Sequence, residues 1–137
     1  MSFDTVKNGI TAILNGLGYA ESDAGSFLNA PATEFGNTFI LTPLSGEATT
    51  GTETIAVQFY DFQTWQIQVA FDKSEQSDNI NQDNVHRKKD ELIKALDKPA
   101  NWESYVRIQK YKSWNVAEEK SYYILNIEIS IIDQYTY

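Results

Sequence analysis

The segment TIAVQFYDFQTWQIQVAF (Thr54–Phe71) carries the clearest two-residue alternation in the chain. Ile55, Val57 and Phe59 alternate with Thr54, Ala56, Gln58 and Tyr60, and Trp65, Ile67, Val69 and Phe71 alternate with Gln66, Gln68 and Ala70. Side chains of a strand point to opposite faces in turn, so this pattern predicts two strands, each with one face in a core. The polar spacer Asp61–Thr64 is short, and a hairpin is the natural connection across it. Trp65 falls in register with Ile67, Val69 and Phe71, which predicts a core position.

Working outward, the N-terminal side changes period. Phe3, Val6, Ile10, Ile13, Leu14 and Leu17 recur at spacings of three and four, one apolar stripe of a helix over about residues 3–17. Ser2 or Asp4 can cap its start, and Gly18 supplies a left-handed stop. Tyr19 to Thr38, with Gly25, Pro31 and Gly36 among small polar residues, predicts an irregular connection. Phe39-Ile40-Leu41 before Pro43 predicts a short strand, and Ser45 to Thr52, with Gly46, Gly51 and several threonines, an exposed flexible loop.

On the C-terminal side, Lys73 to Asn84 is polar and leads into a second helix with Val85, Leu92, Ile93 and Leu96 on its buried stripe and Pro99 past its end. A strand of about Tyr105 to Trp114 follows. Val116 to Ser121 is the expected turn, and in the last strand Tyr123, Leu125, Ile127, Ile129 and Ile131 share a face. The order α-β-β-β-α-β-β predicts an α+β fold, an antiparallel sheet with an N-terminal helix and a second helix packed on it. With 137 residues the chain fits a single domain, residues 1–137.

Composition excludes several classes. Hydrophobic residues make up 42% and aromatic residues 13%, which argues for a packed core and against a disordered chain. There is no cysteine, so disulfide scaffolds, thiol nucleophiles and thiolate metal sites are out. No apolar run is long enough to span a membrane. The start Met1-Ser2-Phe3-Asp4 shows no secretory signal, and a cytoplasmic location is expected. Net charge is −8, and from Met1 to Asp72 the only basic residue is Lys7. Tight binding to phosphates through that half is not expected.

Catalytic and metal-binding patterns are weak. His86 is the only histidine, has no serine partner in a nucleophile motif, and is expected to be a solvated surface residue. Asn79, Asn81, Asp83, Asn84 and Asp90 share some spacing with a calcium loop but lack its acidic first ligand and its glycine. Glu118 and Glu119 are adjacent and point apart at an expected hairpin tip. No catalytic, cofactor or metal residues are assigned, and the expectation is a binding protein rather than an enzyme. Trp102, Trp114 and the C-terminal tyrosines Tyr111, Tyr122, Tyr123, Tyr135 and Tyr137 have the composition of either a core or a protein interface.

The layout as a whole resembles the tail terminator family of tailed bacteriophages, also called tail completion or head–tail joining proteins. The matching segments are FDTVKNGITAILNGLGY (Phe3–Tyr19), the alternating segment Thr54–Phe71, SDNINQDNVHRKKDELIKAL (Ser77–Leu96) and KSYYILNIEISIIDQYTY (Lys120–Tyr137). The resemblance implies a structural virion protein with no cofactor, a hexameric ring that caps the tail tube protein, stops its polymerisation and joins the tail to the head completion or connector protein. DNA passes through such a ring without specific binding, and the acidic first half fits that passage. It also implies assembly in the host bacterial cytoplasm and residence in the tail or neck of the virion. Another neck component, or a monomeric binding or adaptor module using Trp102 and Trp114, is the alternative. Expected interface residues are Ser45, Gly46, Glu47, Thr49, Thr50, Gly51, Trp102, Trp114, Tyr135 and Tyr137, with Glu47 and Glu53 as acidic lumen candidates.

Overall fold

The computed structural model describes residues 2–22, 37–50, 58–72, 82–102, 106–118 and 122–136. Helix α1 (Ser2–Gly16) is followed by strands β1 (Ala20–Glu21), β2 (Thr38–Thr50) and β3 (Gln58–Asp72), helix α2 (Gln82–Leu96), a 3-10 turn over Pro99–Asn101, and strands β4 (Val106–Glu118) and β5 (Tyr122–Thr136). The five strands form one sheet in the order β1-β2-β3-β5-β4. All neighbours pair antiparallel except β1, a two-residue strand parallel to β2. The α+β fold with two helices on a sheet is therefore as expected, and the sheet is mixed at one edge. β3 and β4 run in the same direction on either side of β5. Parallel strands need a long crossover, and α2 supplies it, giving a split β-α-β unit.

The segment Thr54–Phe71 was expected to fold back at Asp61–Thr64, and it does not. Asp61, Phe62, Gln63 and Thr64 lie in mid-strand, paired on one side with Ala48, Glu47, Gly46 and Ser45 and on the other with Asp133, Ile132, Ile131 and Ser130. Asp is a poor strand former, and Asp61 with the polar Gln63 at the next apolar position interrupted the apolar alternation and imitated a turn. The alternation itself continues unbroken through Gln63 into Trp65. Ile55 and Val57 lie outside the described residues.

The expected flexible loop over Ser45–Thr52 is corrected in the same way. Ser45 to Thr50 extends β2, which is 13 residues long and continues past Pro43. Pro43 is tolerated because β1 covers β2 only at Thr38 and Phe39, and a register shift lies between Pro43 and Ser45. Edge strands and bulges are where proline fits in a sheet. The stretch expected to be irregular contributes β1, and Val116 to Glu118, expected in a turn, belong to β4.

Both helices cover the same face of the sheet. The core joins Val6, Ile10, Ile13 and Leu14 of α1 and Val85, Leu92 and Leu96 of α2 to Phe39, Trp65, Ile67, Val69, Phe71, Leu125, Ile127, Ile129 and Ile131 of the strands. The ends of the α1 stripe are looser: Phe3 is 47% exposed, though its ring stacks on Trp65 at 5.4 Å, and Leu17 is 40% exposed. Gly18 stops α1 with φ of 95°, the left-handed conformation expected of it, while the Tyr19 amide donates to Leu14 O at 3.1 Å. Asn37 makes the other left-handed turn, φ 59°, where the chain enters β2. A smaller cluster of Ile40, Ala70, Tyr122 and Ile124 lies on the face away from the helices.

Candidate assembly surface

The face of the sheet away from the helices is mostly polar. Gln68 Nε2 donates to Asn126 Oδ1 at 2.8 Å, and Asn126 Nδ2 donates to Asn115 Oδ1 at 2.9 Å, an amide ladder across β3, β5 and β4. Ser113 Oγ donates to Glu128 Oε2 at 3.3 Å, and the Thr64 and Ser130 hydroxyls lie 3.4 Å apart. The strand period places Thr64, Gln66, Gln68, Asn126, Glu128 and Ser130 here because their neighbours fill the core. Among the side chains described on this face, Asp72 and Glu128 carry the charge.

Ser45 and Gly46 are exposed and paired to Thr64 and Gln63. Glu47, Thr49 and Thr50 are strand residues opposite Phe62, Tyr60 and Phe59, and Tyr135 is a β5 residue opposite Phe59; the side chains of these four are outside those described. Gly51, Glu53 and Tyr137 lie outside the described residues. The expected interface positions of β2 are therefore strand backbone along a sheet edge, not a loop.

The two candidate tryptophans have different environments. Trp102 is a packing residue: its Nε1 donates to Leu96 O at 2.6 Å, and a Cβ placed on Gly9 would sit 2.7 Å from its ring. The absence of a side chain at Gly9 lets the indole close against α1, so Trp102 ties the end of α2 to the first helix. Trp114, on the outer strand β4, is 44% exposed. Lys89 Nζ stands 4.1 Å from the centre of its ring and His86 meets it edge-on at 5.3 Å. A cation over an indole face is attracted by the ring quadrupole. His86 is thus half-buried against Trp114, rather than the freely solvated residue expected.

Polar groups that the sequence reading missed lie at the end of the helix-covered face. Asp61 Oδ2 accepts from Gln63 Nε2 at 2.6 Å, and Gln63 Oε1 accepts from the Trp65 indole N–H at 2.6 Å. This chain satisfies a buried indole. Asp133, buried in β5, is the cross-strand partner of Asp61. The signal for Gln63 was available in the unbroken parity from Gln63 to Phe71.

Tyr19 is buried against Phe71 edge-on at 5.9 Å, and burial, with the Glu91 carboxylate adding to it, pushes its phenol up to about 12. An open groove of about 380 Å³ between the C-terminal turns of α1 and α2 is lined by Ala12, Ile13, Gly16, Leu17, Ala95 and Asn101. That lining offers no acid, base or nucleophile. Among the described residues, no group of three or more His, Asp or Glu is placed to hold a metal ion. Asp83, Asn84 and Asp90 lie on α2, and Asn84 accepts from the Arg87 guanidinium at 2.9 Å. No described helix is long and apolar enough to cross a membrane.

What these features define is a two-layer α+β domain with one helix-covered face and one polar face. Compared with family models and with characterised proteins, the chain matches none.

Proposed function

We propose that the protein is a structural, ring-forming tail terminator of a tailed phage, which caps the tail tube, stops its growth and joins the tail to the head. The observation that carries the reading is the division of the sheet into a helix-covered apolar face and a second face on which, beside the apolar cluster of Ile40, Ala70, Tyr122 and Ile124, the described polar side chains are amides, hydroxyls and carboxylates. A wall along which DNA must slide is best built of groups that offer phosphates no cationic partner, and Gln68, Asn126, Asn115, Asp72 and Glu128 are such groups. The excess of acid in the first half of the chain supports the same reading. Homo-oligomers close through symmetry, so the partners are further copies of the chain, the tail tube protein and the head completion or connector protein. Glu47 and Glu53 remain candidates for the lumen.

The adaptor reading loses support at Trp102, whose indole is engaged with Leu96 and Gly9 and is not free to hold a ligand. The test is native mass spectrometry of the purified chain, followed by addition to growing tail tubes. A closed species near six times 15.6 kDa and tubes of fixed length support the reading. Tubes that grow past the same length in the presence of the protein overturn it.

A further inference from the structure

Two opposite edges of the sheet have no strand beside them among the described residues: β2 from Ile40 to Thr50, and the whole of β4. Exposed edges of this length invite another strand. Leaving aside the short β1, the sheet β2-β3-β5-β4 has four strands, antiparallel throughout. With an even number, β2 and β4 run in opposite directions. A second copy moved sideways in the plane of the sheet therefore brings its β2 alongside β4 in antiparallel orientation, with no turning over.

The register can be followed row by row. Leu41 pairs with Ile67, Ile67 with Ile127, and Ile127 with Trp114. Ser45 leads through Thr64 and Ser130 to Lys110. Glu47 leads through Phe62 and Ile132 to Arg107. In level register, the edge of the next copy sets Leu41 opposite Trp114 and Glu47 opposite Arg107. Directly opposed positions on one face are the closest side-chain neighbours in a sheet, and both opposite charges and apolar–aromatic pairs are favourable there. The charge complement extends along the half of β4 near Glu47: β4 carries Arg107, Lys110 and Lys112 there and Glu118 only at its far end, whereas the only charged residue of β2 is Glu47. Trp114, 44% exposed at the outer strand, gains an apolar neighbour.

We propose that copies of this chain join head to tail by pairing β2 of one with β4 of the next, antiparallel and in level register, so that one sheet runs from subunit to subunit. The helices add bulk to one face only, so curvature places them outside and the amide ladder of Gln68, Asn126 and Asn115 inside. A heterologous contact of this kind closes into a ring when the rotation per copy divides a full turn. Pro43 has no N–H to give, and the row it shares with Trp65, Ile129 and Tyr111 has register shifts on both edge strands. The contact is thus interrupted at that row and again at the β4 shift between Ile108 and Lys110, which separates the Ser45–Lys110 row from the Glu47–Arg107 row. The inference rests on the ring-forming reading above and assigns the surfaces that make the ring.

The chain has no cysteine, so introduced thiols report contacts without ambiguity. Ser45→Cys and Lys110→Cys, made in separate chains, should give a disulfide-linked dimer when mixed and oxidised, and neither alone should do so. The double variant should give a ladder of linked copies ending in a closed species. In a second series, Glu47→Lys and Arg107→Glu should each weaken assembly tenfold or more with an unchanged circular dichroism spectrum, and combining them should restore it. Dimers formed by either thiol variant alone, or no crossed dimer in the mixture, would overturn the pairing. A ring that assembles without the crossed disulfide sinks this pairing and leaves the tail reading standing. Crossed disulfides in a protein that fails to cap tubes do the reverse.

Discussion

On the helix-covered face of the sheet, Trp65, Ile67, Val69, Phe71, Leu125, Ile127, Ile129 and Ile131 are at most 1% exposed. One residue along the same strands, Gln66, Gln68, Asn126 and Glu128 are only half-buried, and the last three are bound to one another or to β4 through polar atoms. The same backbone thus meets two environments that differ in most rows, the exception being the end where Ile40, Ala70, Tyr122 and Ile124 make the second face apolar too. The apolar face supplies stability and fixes register, because a slip of one residue would exchange the two sets. Outside its small apolar cluster, the second face holds partly solvated hydrogen bonds, each of which contributes little to stability. Tolerance of substitution should divide along the same line, with the polar rows of the second face the more tolerant.

The largest effect that this contrast predicts is at Trp65. Trp65→Ala removes a buried indole stacked on Phe3 and leaves Gln63 Oε1 without its donor, and should cost about 3–5 kcal/mol in urea denaturation. A loss below about 1 kcal/mol would break the claim that this face carries the stability.

Second in size is an alkaline effect. A phenol whose pKa is raised from 10.0 to about 12 in the folded state stays protonated there while the unfolded chain ionises. Its contribution is complete below pH 10 and is lost as pH rises towards about 12. The loss should be no more than about 2 kcal/mol after solvent screening. Tyr19→Phe should flatten the stability curve across that window; an unchanged slope would show that Tyr19 is not the titrating group.

The helix layer gives a pair of opposite signs. Gly9→Ala drives a Cβ into the Trp102 ring, and overpacking should outweigh the helix propensity gained, for a net loss of about 1 kcal/mol. Gly16→Ala, where a Cβ meets nothing within 4 Å, should instead stabilise by up to about 1 kcal/mol. Thermal melts of both variants test the pair, and equal signs would remove the Gly9–Trp102 contact from the account. Of the same order or smaller is the effect on the polar face: Asn126→Ala deletes two partly solvated hydrogen bonds and should cost about 0.5–1 kcal/mol. A core-sized penalty there would erase the contrast between the faces.

Much of the fold was legible because apolar spacing reports local geometry. The stripe Val6, Ile10, Ile13 and Leu14, the stripe Val85, Leu92 and Leu96, and the odd-numbered residues of Trp65–Phe71 and Tyr123–Ile131 all fill the core they were expected to fill. The errors have a common source. Asp61–Thr64 and Ser45–Thr50 carry turn-like residues but are strand, because each is hydrogen-bonded to a neighbouring strand and not to its own surroundings. Of the candidate site, Ser45 and Gly46 are exposed as expected, the β2 positions Ser45–Thr50 are strand and not loop, and Trp102 could not be told from Trp114. Gly9, more than ninety positions away in sequence, leaves the room in which the Trp102 indole packs, whereas Trp114 is exposed because β4 is the outer strand.

By itself, the sequence determined the helices, the apolar face of each strand, the α+β class and the acidic character of the first half, since each depends on spacing or composition along the chain. Only the tertiary structure decided that the chain does not fold back at Asp61–Thr64, that β5 enters between β3 and β4, and that rows starting at Leu41 and Glu47 end at Trp114 and Arg107. Those are facts of pairing between distant segments, and a strand's propensity for its partner is written in neither strand alone.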